Sequence, residues 1–354
     1  MSRFFSEKFK ELKPYTPGEQ PRDMEYIKLN TNESPFPPSE IVISAAKSAA
    51  SKLNLYPDPE CKLLKEAMAK RFDVLPENVI LTNGSDDVLN FAFMAFTDAN
   101  TPAVFADITY GFYEVFAKVN NSPYKIIPLK DDFTIDVNDY CPADGTVFIA
   151  NPNAPTGIVL ELSDIEKIVS ANSGNVVVID EAYVDFGSDS AIRLINKYDN
   201  LLVTGTFSKS RSMAGARLGF GIASAELIKD LETLRYSTNP YNINRMSEAC
   251  ALASIENDEI NMNNCAQIIK TREETAAALK ELGFEMTESA TNFLFIKHPE
   301  IPGKDFYLSL RERGILVRHF ENERIIDYNR VTIGSAEEMQ SFINAAKEIL
   351  EQKI

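Results

Sequence analysis

Three short segments carry side chains that can handle an aldehyde, a ring nitrogen and a phosphate. The first, Val176-Val177-Val178-Ile179-Asp180-Glu181-Ala182-Tyr183, leaves a carboxylate at the end of an apolar run and a phenol three residues on. The second is Thr206-Phe207-Ser208-Lys209-Ser210, and the third is Ala214-Gly215-Ala216-Arg217-Leu218-Gly219, whose arginine lies eight residues beyond the lysine. A lysine amine condenses with an aldehyde to a Schiff base, and a carboxylate opposite a pyridine nitrogen keeps that nitrogen protonated, so the ring accepts electrons. A hydroxyl and a guanidinium bind a phosphate dianion, the guanidinium with two parallel hydrogen bonds. Asp180, Lys209, Ser208 and Arg217 therefore suit a pyridine aldehyde phosphate.

Each of these residues alone has a plainer reading. A lysine between serines is usually a solvated loop residue, and Asp180-Glu181 alone could be a helix cap or a metal pair. Tyr110 and Tyr183 could be packing aromatics, and Arg318 and Arg330 surface ion-pair residues. The joint offsets of Asp180, Lys209 and Arg217 favour chemistry over those readings. Gly219-Phe220-Gly221-Ile222-Ala223-Ser224 approaches a dinucleotide fingerprint, but its last position is Ser and its glycines fall inside an expected strand, so it is set aside.

The elements that must position these groups alternate. Strands are expected over 78–82, 103–106, 125–129, 147–150, 176–180, 201–204 and 218–223, with amphipathic helices over 59–72, 86–96, 111–120 and 163–171 between them. That alternation predicts an α/β fold, a mostly parallel seven-stranded sheet between helices, with the reactive residues at the carboxyl ends of its strands. Beyond about residue 240 come helices over 243–255 and 259–282, strands over 293–297, 315–318 and 330–333, a helix over 304–313 and a closing helix from Ala336, the texture of a smaller α+β domain. The expected division is 1–37 as an N-terminal, Pro-rich arm and part of the small domain, 38–250 as the large domain, and 251–354 as the small C-terminal domain.

Composition narrows the class. A net charge of −16 argues against a general nucleic-acid binder. Four scattered cysteines and two histidines, His298 and His319, indicate neither a disulfide framework nor a metal site. No apolar run is long enough for a membrane span, and the start has no secretory pattern, so a soluble cytoplasmic protein is expected.

Asp180-Glu181-Ala182-Tyr183, Thr206-Phe207-Ser208-Lys209-Ser210 and Arg217-Leu218-Gly219 together resemble the signature of fold-type-I pyridoxal-phosphate enzymes. Within that group the chain resembles the histidinol-phosphate aminotransferase family. The likeness continues, in order, through Pro14-Tyr15, Leu29-Asn30-Thr31-Asn32-Glu33, Tyr56-Pro57, Asn83-Gly84-Ser85-Asp86, Thr109-Tyr110-Gly111, Asn151-Pro152-Asn153-Ala154-Pro155-Thr156-Gly157, Gly314-Ile315-Leu316-Val317-Arg318 and Arg330-Val331-Thr332-Ile333-Gly334. It implies pyridoxal 5'-phosphate as cofactor, and ping-pong amino transfer between histidinol phosphate and 2-oxoglutarate, with glutamate as the product.

The resemblance also implies roles. Lys209 would be the Schiff-base lysine and proton shuttle, Asp180 the partner of the pyridine nitrogen, Tyr183 the partner of the phenolic oxygen, and Tyr110 the stacking ring. Gly84-Ser85-Asp86 opens a helix whose free N–H groups suit a phosphate; Ser85, Ser208 and Arg217 would complete that cradle with Thr206 nearby. Tyr56 would reach the cofactor phosphate of a neighbouring subunit, making the enzyme a homodimer. Arg330 would hold a substrate carboxylate, and Arg318 and Tyr15, with Asn32 close by, a distal phosphate. One departure stands out: the family often reads Asn-Pro-Thr-Gly, and Ala154 takes the asparagine's place. Either Asn153 supplies the missing contact, the expectation adopted, or Tyr183 works alone. Alternatives on the same scaffold are an aromatic-amino-acid aminotransferase and a decarboxylase of phosphorylated amino acids. A regulatory protein with a degenerate domain is disfavoured by the retained Lys209, Asp180, Tyr183 and Arg217.

Overall fold

Seven strands make the large sheet: β1 (Val79–Thr82), β2 (Ala103–Ala106), β3 (Tyr124–Ile127), β4 (Thr146–Ala150), β5 (Val177–Asp180), β6 (Leu201–Thr206) and β7 (Gly219–Ala223). The structure, a computed structural model, describes residues 2–10 and 12–352. The spatial order is β1-β7-β6-β5-β4-β2-β3. All pairs are parallel except those of β7, which runs against both β1 and β6. The α/β sheet expected from the alternating pattern is thus present with seven strands.

The continuous apolar run of β5 is explained by burial on both faces. Val177 and Ile179 enter one core with Val147, Ile149, Leu201 and Val203, while Val178 enters the other with Phe105, Phe148 and Leu202. The first core is closed by α1 (Glu40–Ala50), α2 (Lys62–Phe72), α5 (Leu162–Ala171) and α7 (Arg245–Glu256), and the second by α3 (Ser85–Phe96), α4 (Phe112–Val119) and α6 (Ala225–Thr238). Periodicity singles out neither α1 nor α6. Alanines and serines make up most of α1 and blur its apolar stripe, while α6 is largely polar with only Ile228 and Leu231 as buried apolar anchors.

A third core, built on Leu294, Ile296, Val331, Phe306 and Phe342, lies on a four-stranded antiparallel sheet. Its strands, in spatial order, are Arg318–His319, Asn329–Thr332, Phe293–Lys297 and Glu285–Met286. The helices α8 (Asp258–Glu281), α9 (Gly303–Glu312) and α10 (Ala336–Glu351) contribute to this core. The strand expected over 315–318 divides in two: Ile315–Leu316 pairs in parallel with Ile27–Lys28, and Arg318–His319 pairs with Asn329–Thr332. The Pro-rich arm is thereby stitched to this sheet, and Thr332 N donates to Leu29 O. Among the described residues, no helix is long and apolar enough to cross a membrane.

Candidate active site

The carboxyl ends of the parallel strands deliver the reactive groups to one edge of the large sheet. Asp180 is the last residue of β5, Lys209 follows the end of β6, Tyr110 follows β2, and Gly84 joins β1 to the start of α3. Because β7 is antiparallel, its first residue, Gly219, lies at that edge too, directly after Arg217 and Leu218. A cavity of about 360 Å³ opens among them, lined by Ser85, Asp86, Tyr110, Ala154, Asp180, Tyr183, Thr206, Ser208, Lys209 and Arg217, with Thr31 and Glu33 from the arm.

Asp180 sits at its floor, 5% exposed. Thr204 Oγ1 and the Tyr113 hydroxyl donate to its two oxygens at 3.1 and 3.2 Å. Burial pushes this carboxyl up to about 6 against the pull of those donors. A protonated ring nitrogen in the cavity would reverse that shift, since an opposite charge favours the ionised carboxylate. The Lys209 amine donates to Thr31 O at 3.2 Å and lies 5.8 Å from the centre of the Tyr183 ring. Burial first, and the positive charge of Arg330 second, bring it down from 10.5 to about 8. An amine so placed is neutral far more often than a solvated lysine, as a nucleophile must be.

The opposite end is an anion cradle. At the start of α3, Gly84 has φ +86° and provides no side-chain cap, so the first N–H groups of that helix are unsatisfied by it. A Cβ on Gly84 would lie 2.7 Å from Arg217 Nη2, and one on Gly219 only 2.1 Å from Ser85 N. Gly219 is thus required by close approach to backbone, and Gly84 by its positive φ. Arg217 is held loosely, 3.5 Å from Asp86 and 3.4 Å from Ala214 O, which leaves its donors free for an anion. Thr206 Oγ1 donates to Ser208 Oγ at 3.0 Å, placing both hydroxyls on the same wall. A pyridine aldehyde phosphate fits this donor set: a carboxylate at one end, an amine along the side, and a helix start with a guanidinium at the other.

A second cavity, about 410 Å³, shares Thr31, Tyr110, Ala154, Tyr183 and Lys209 with the first and adds Tyr15, Asn32, Arg318 and Arg330. Arg318 and Arg330 face each other in register across adjacent strands. Arg330 Nη2 donates to Asn30 O, and its buried Nε has no protein partner. Arg318 donates to Thr16 O and Pro17 O, tying the arm down, and Tyr15 packs on Phe112 at 4.3 Å.

Two expected residues stand elsewhere. Asn153 does not line either cavity: its amide donates to Ile108 O and Thr156 Oγ1 and accepts from Thr109, so its hydrogen-bonding capacity is spent on its own loop and on the loop that follows β2. Tyr56 lies outside both cavities, 77% exposed and stacked on Tyr241. Asn32 lines the second cavity, but its amide is engaged by Tyr183 and Thr332. Sequence reasoning missed Tyr113 and Thr204, the two donors to Asp180. Tyr113, one helical turn after Tyr110, reads as an ordinary core aromatic of α4. A wider cleft of about 710 Å³ adjoins the first cavity at Ala182 and Thr206, but its guanidiniums are paired, Arg211 with Asp185 and Asp258, Arg71 with Asp258 and Arg193 with Asp189, and it has no lysine among its described walls.

Comparison with known proteins gives a consistent picture. The family described as aminotransferase class I and II matches residues 24–345. A histidinol-phosphate aminotransferase of Brachyspira hyodysenteriae is 49% identical over 352 residues, covering 99% of each chain. One from a Marinomonas species is 50% identical, covering 98% of this chain and 99% of its own. In fold, the chain is similar to the crystal structure of histidinol-phosphate aminotransferase from Sinorhizobium meliloti in complex with pyridoxal-5'-phosphate, with a TM-score of 0.87, 22% identity, and 93% and 92% of the two chains covered.

Proposed function

The chain belongs to the class I and II aminotransferases, and from that premise we propose that it moves an amino group between histidinol phosphate and 2-oxoglutarate in histidine biosynthesis, using pyridoxal 5'-phosphate. The observation that carries the reading is the Lys209 amine at the junction of two cavities, one with an anion cradle at Arg217 and the other with the paired Arg318 and Arg330. Three guanidiniums match three anionic groups: the cofactor's phosphate, a dicarboxylate's carboxylate, and the distal phosphate of an amino donor.

When bound, the cofactor supplies an electron-withdrawing ring that makes the substrate's α-hydrogen acidic. The protein's residues do the rest. The start of α3, Ser85, Ser208 and Arg217 hold the phosphate tail, and Thr206 fixes Ser208. Asp180, oriented by Thr204 and Tyr113, holds the ring nitrogen's proton. Tyr110, held by its hydroxyl's hydrogen bond to Asp86, would pack against the ring. Lys209 Nζ would carry the substrate's α-proton, a task suited to an amine brought down to about 8, which both accepts and gives up a proton at neutral pH. Arg330 receives the carboxylate of glutamate, and Arg318 with Tyr15 receives the phosphate of histidinol phosphate.

The enzyme is read as a homodimer in which Tyr56 reaches the partner's phosphate site. Its exposure, with Leu53, Leu55 and Leu63 also more than half exposed nearby in the chain, supports a surface covered by a second copy. The four cysteines are unpaired, in keeping with a reducing cytoplasm. The test is a comparison of amino donors with 2-oxoglutarate as acceptor. Histidinol phosphate should exceed phenylalanine in kcat/KM by orders of magnitude with no carbon dioxide released. Preference for phenylalanine, or release of carbon dioxide from a phosphorylated amino acid, would overturn the substrate assignment.

A further inference from the structure

Ala154 leaves the cavity without the amide that the family commonly places there, and Asn153 does not replace it. A different asparagine stands behind the phenol. Asn32 is fully buried and holds φ +55°, a backbone conformation that asparagine tolerates better than most residues. Its Nδ2 donates to the Tyr183 hydroxyl at 2.8 Å, and its Oδ1 accepts from Thr332 Oγ1 at 3.0 Å. Its backbone N–H donates to the same Thr332 oxygen at 2.9 Å, and its carbonyl accepts from Asn292 at 3.0 Å.

This arrangement fixes where protons point. Thr332 Oγ1 accepts from the Asn32 backbone, so its own proton needs an acceptor, and Asn32 Oδ1 is the one in reach. Turning the amide over would leave that proton without one, so the NH2 group faces Tyr183. The phenol oxygen therefore accepts from Asn32. Among the described residues the Tyr183 hydroxyl has no other hydrogen-bond partner, and its own O–H is left to point into the cavity.

We propose that Asn32 is a positioning residue that, locked by Thr332, turns the Tyr183 phenol into an obligatory donor toward the cofactor's ring oxygen and so takes over the work of the amide missing at position 154. The inference rests on the pyridoxal-phosphate reading given above. Thr332 lies two residues from Arg330 on the same strand, so the chain of hydrogen bonds begins on the element that carries the carboxylate-binding guanidinium.

A donor on that ring oxygen weakens the oxygen's hold on the proton it shares with the lysine nitrogen, so losing the donor raises the pH at which that proton leaves. The experiment is a pH titration of the visible absorbance of the cofactor-loaded protein. Asn32→Asp keeps the size and tolerates φ +55°, but its carboxylate only accepts, and it draws the phenol proton away from the cavity. The midpoint should rise by about one pH unit. Asn32→Gly, which suits the backbone conformation without strain, should move it in the same direction by less, and it carries the test if the Asp variant does not fold. Tyr183→Phe sets the limit, and adding Asn32→Asp to it should produce no further shift. Wild-type midpoints in both Asn32 variants, or an Asn32→Asp shift that persists undiminished in the Tyr183→Phe background, would overturn the proposal while leaving the cofactor assignment intact. A wild-type protein that takes up no pyridoxal phosphate removes both.

Discussion

Lys209→Met should stabilise the cofactor-free protein at neutral pH, and the gain should fade in alkali. The amine titrates at about 8 in the fold against an ordinary 10.5. At 1.36 kcal/mol per pH unit, that difference corresponds to about 3 kcal/mol spent on holding a charged amine in the folded state at pH 7. The side chain opens on a cavity that water enters, so about 2 kcal/mol is the realistic share. The sign follows from proton binding. Between pH 8 and 10.5 the unfolded chain holds a proton that the folded chain has released, so the native protein gains stability as pH rises through that window. By pH 10 the penalty falls to roughly a quarter of its value at pH 7. Methionine matches the length of lysine without the charge. Thermal unfolding at pH 7 should therefore show the variant melting about 3 °C higher, given the unfolding entropy of a chain this long, with little difference left at pH 10. An equal gain at both pH values would mean better packing rather than a relieved charge. No gain at pH 7 would mean that the amine is not held below its ordinary value, and the account of its reactivity would fail with it.

Glu181 offers the opposite case. Burial pushes its carboxyl from 4.5 up to about 8, so the folded state keeps a proton that the unfolded state has lost, and stability falls as pH rises from about 4.5 to 8; Glu181→Gln should flatten that fall in a pH series of melting temperatures. Gly219→Ala puts a methyl group 2.1 Å from Ser85 N, which should destabilise the protein by about 1–3 kcal/mol and weaken cofactor binding measured by absorbance titration; wild-type affinity would contradict the close-approach argument. Arg318→Met should raise KM for histidinol phosphate by about 10- to 100-fold while leaving the glutamate half-reaction nearly unchanged, and an equal loss in both would show that it acts through the arm instead. Mixing Tyr56→Ala with Lys209→Ala subunits should restore about a quarter of wild-type activity, because each mixed dimer regains one native site; inactive mixtures would show that no residue is shared across subunits.

The large sheet was legible because all its strands but β3 are buried throughout, and β1, β2, β4 and β7 are each followed by an α-helix. Lys209, Asp180 and Arg217 were legible because their types and offsets suit a single small molecule. The limits were geometric. Asn153 looked like a substitute for the missing amide on grounds of adjacency alone, yet its side chain is used to tie its own loop, at Thr156, to the loop after β2, at Ile108 and Thr109. Tyr113 and Asn32 make their contacts across 67 and 151 residues. Periodicity registers neither, because a hydrogen bond between distant segments leaves no local trace. The split of the strand expected over 315–318 is similar: the apolar run is continuous, but its two halves find different partners.

The reversed strand β7 has a consequence for how the chain can vary. Every parallel strand of the sheet must be reached by a connection that travels from one edge back to the other. The segment from Thr206 to Gly219 is exempt: it leaves and re-enters the sheet at the same edge, and its two ends are bonded to each other in register. It behaves as a closed loop of fixed circumference, with the amine near one foot and the guanidinium near the other. Lengthening it would push apart the two groups that hold the side and the phosphate end of one ligand, whereas the long crossovers elsewhere can absorb extra residues on the far side. Insertions should accumulate in those crossovers and be excluded from this loop.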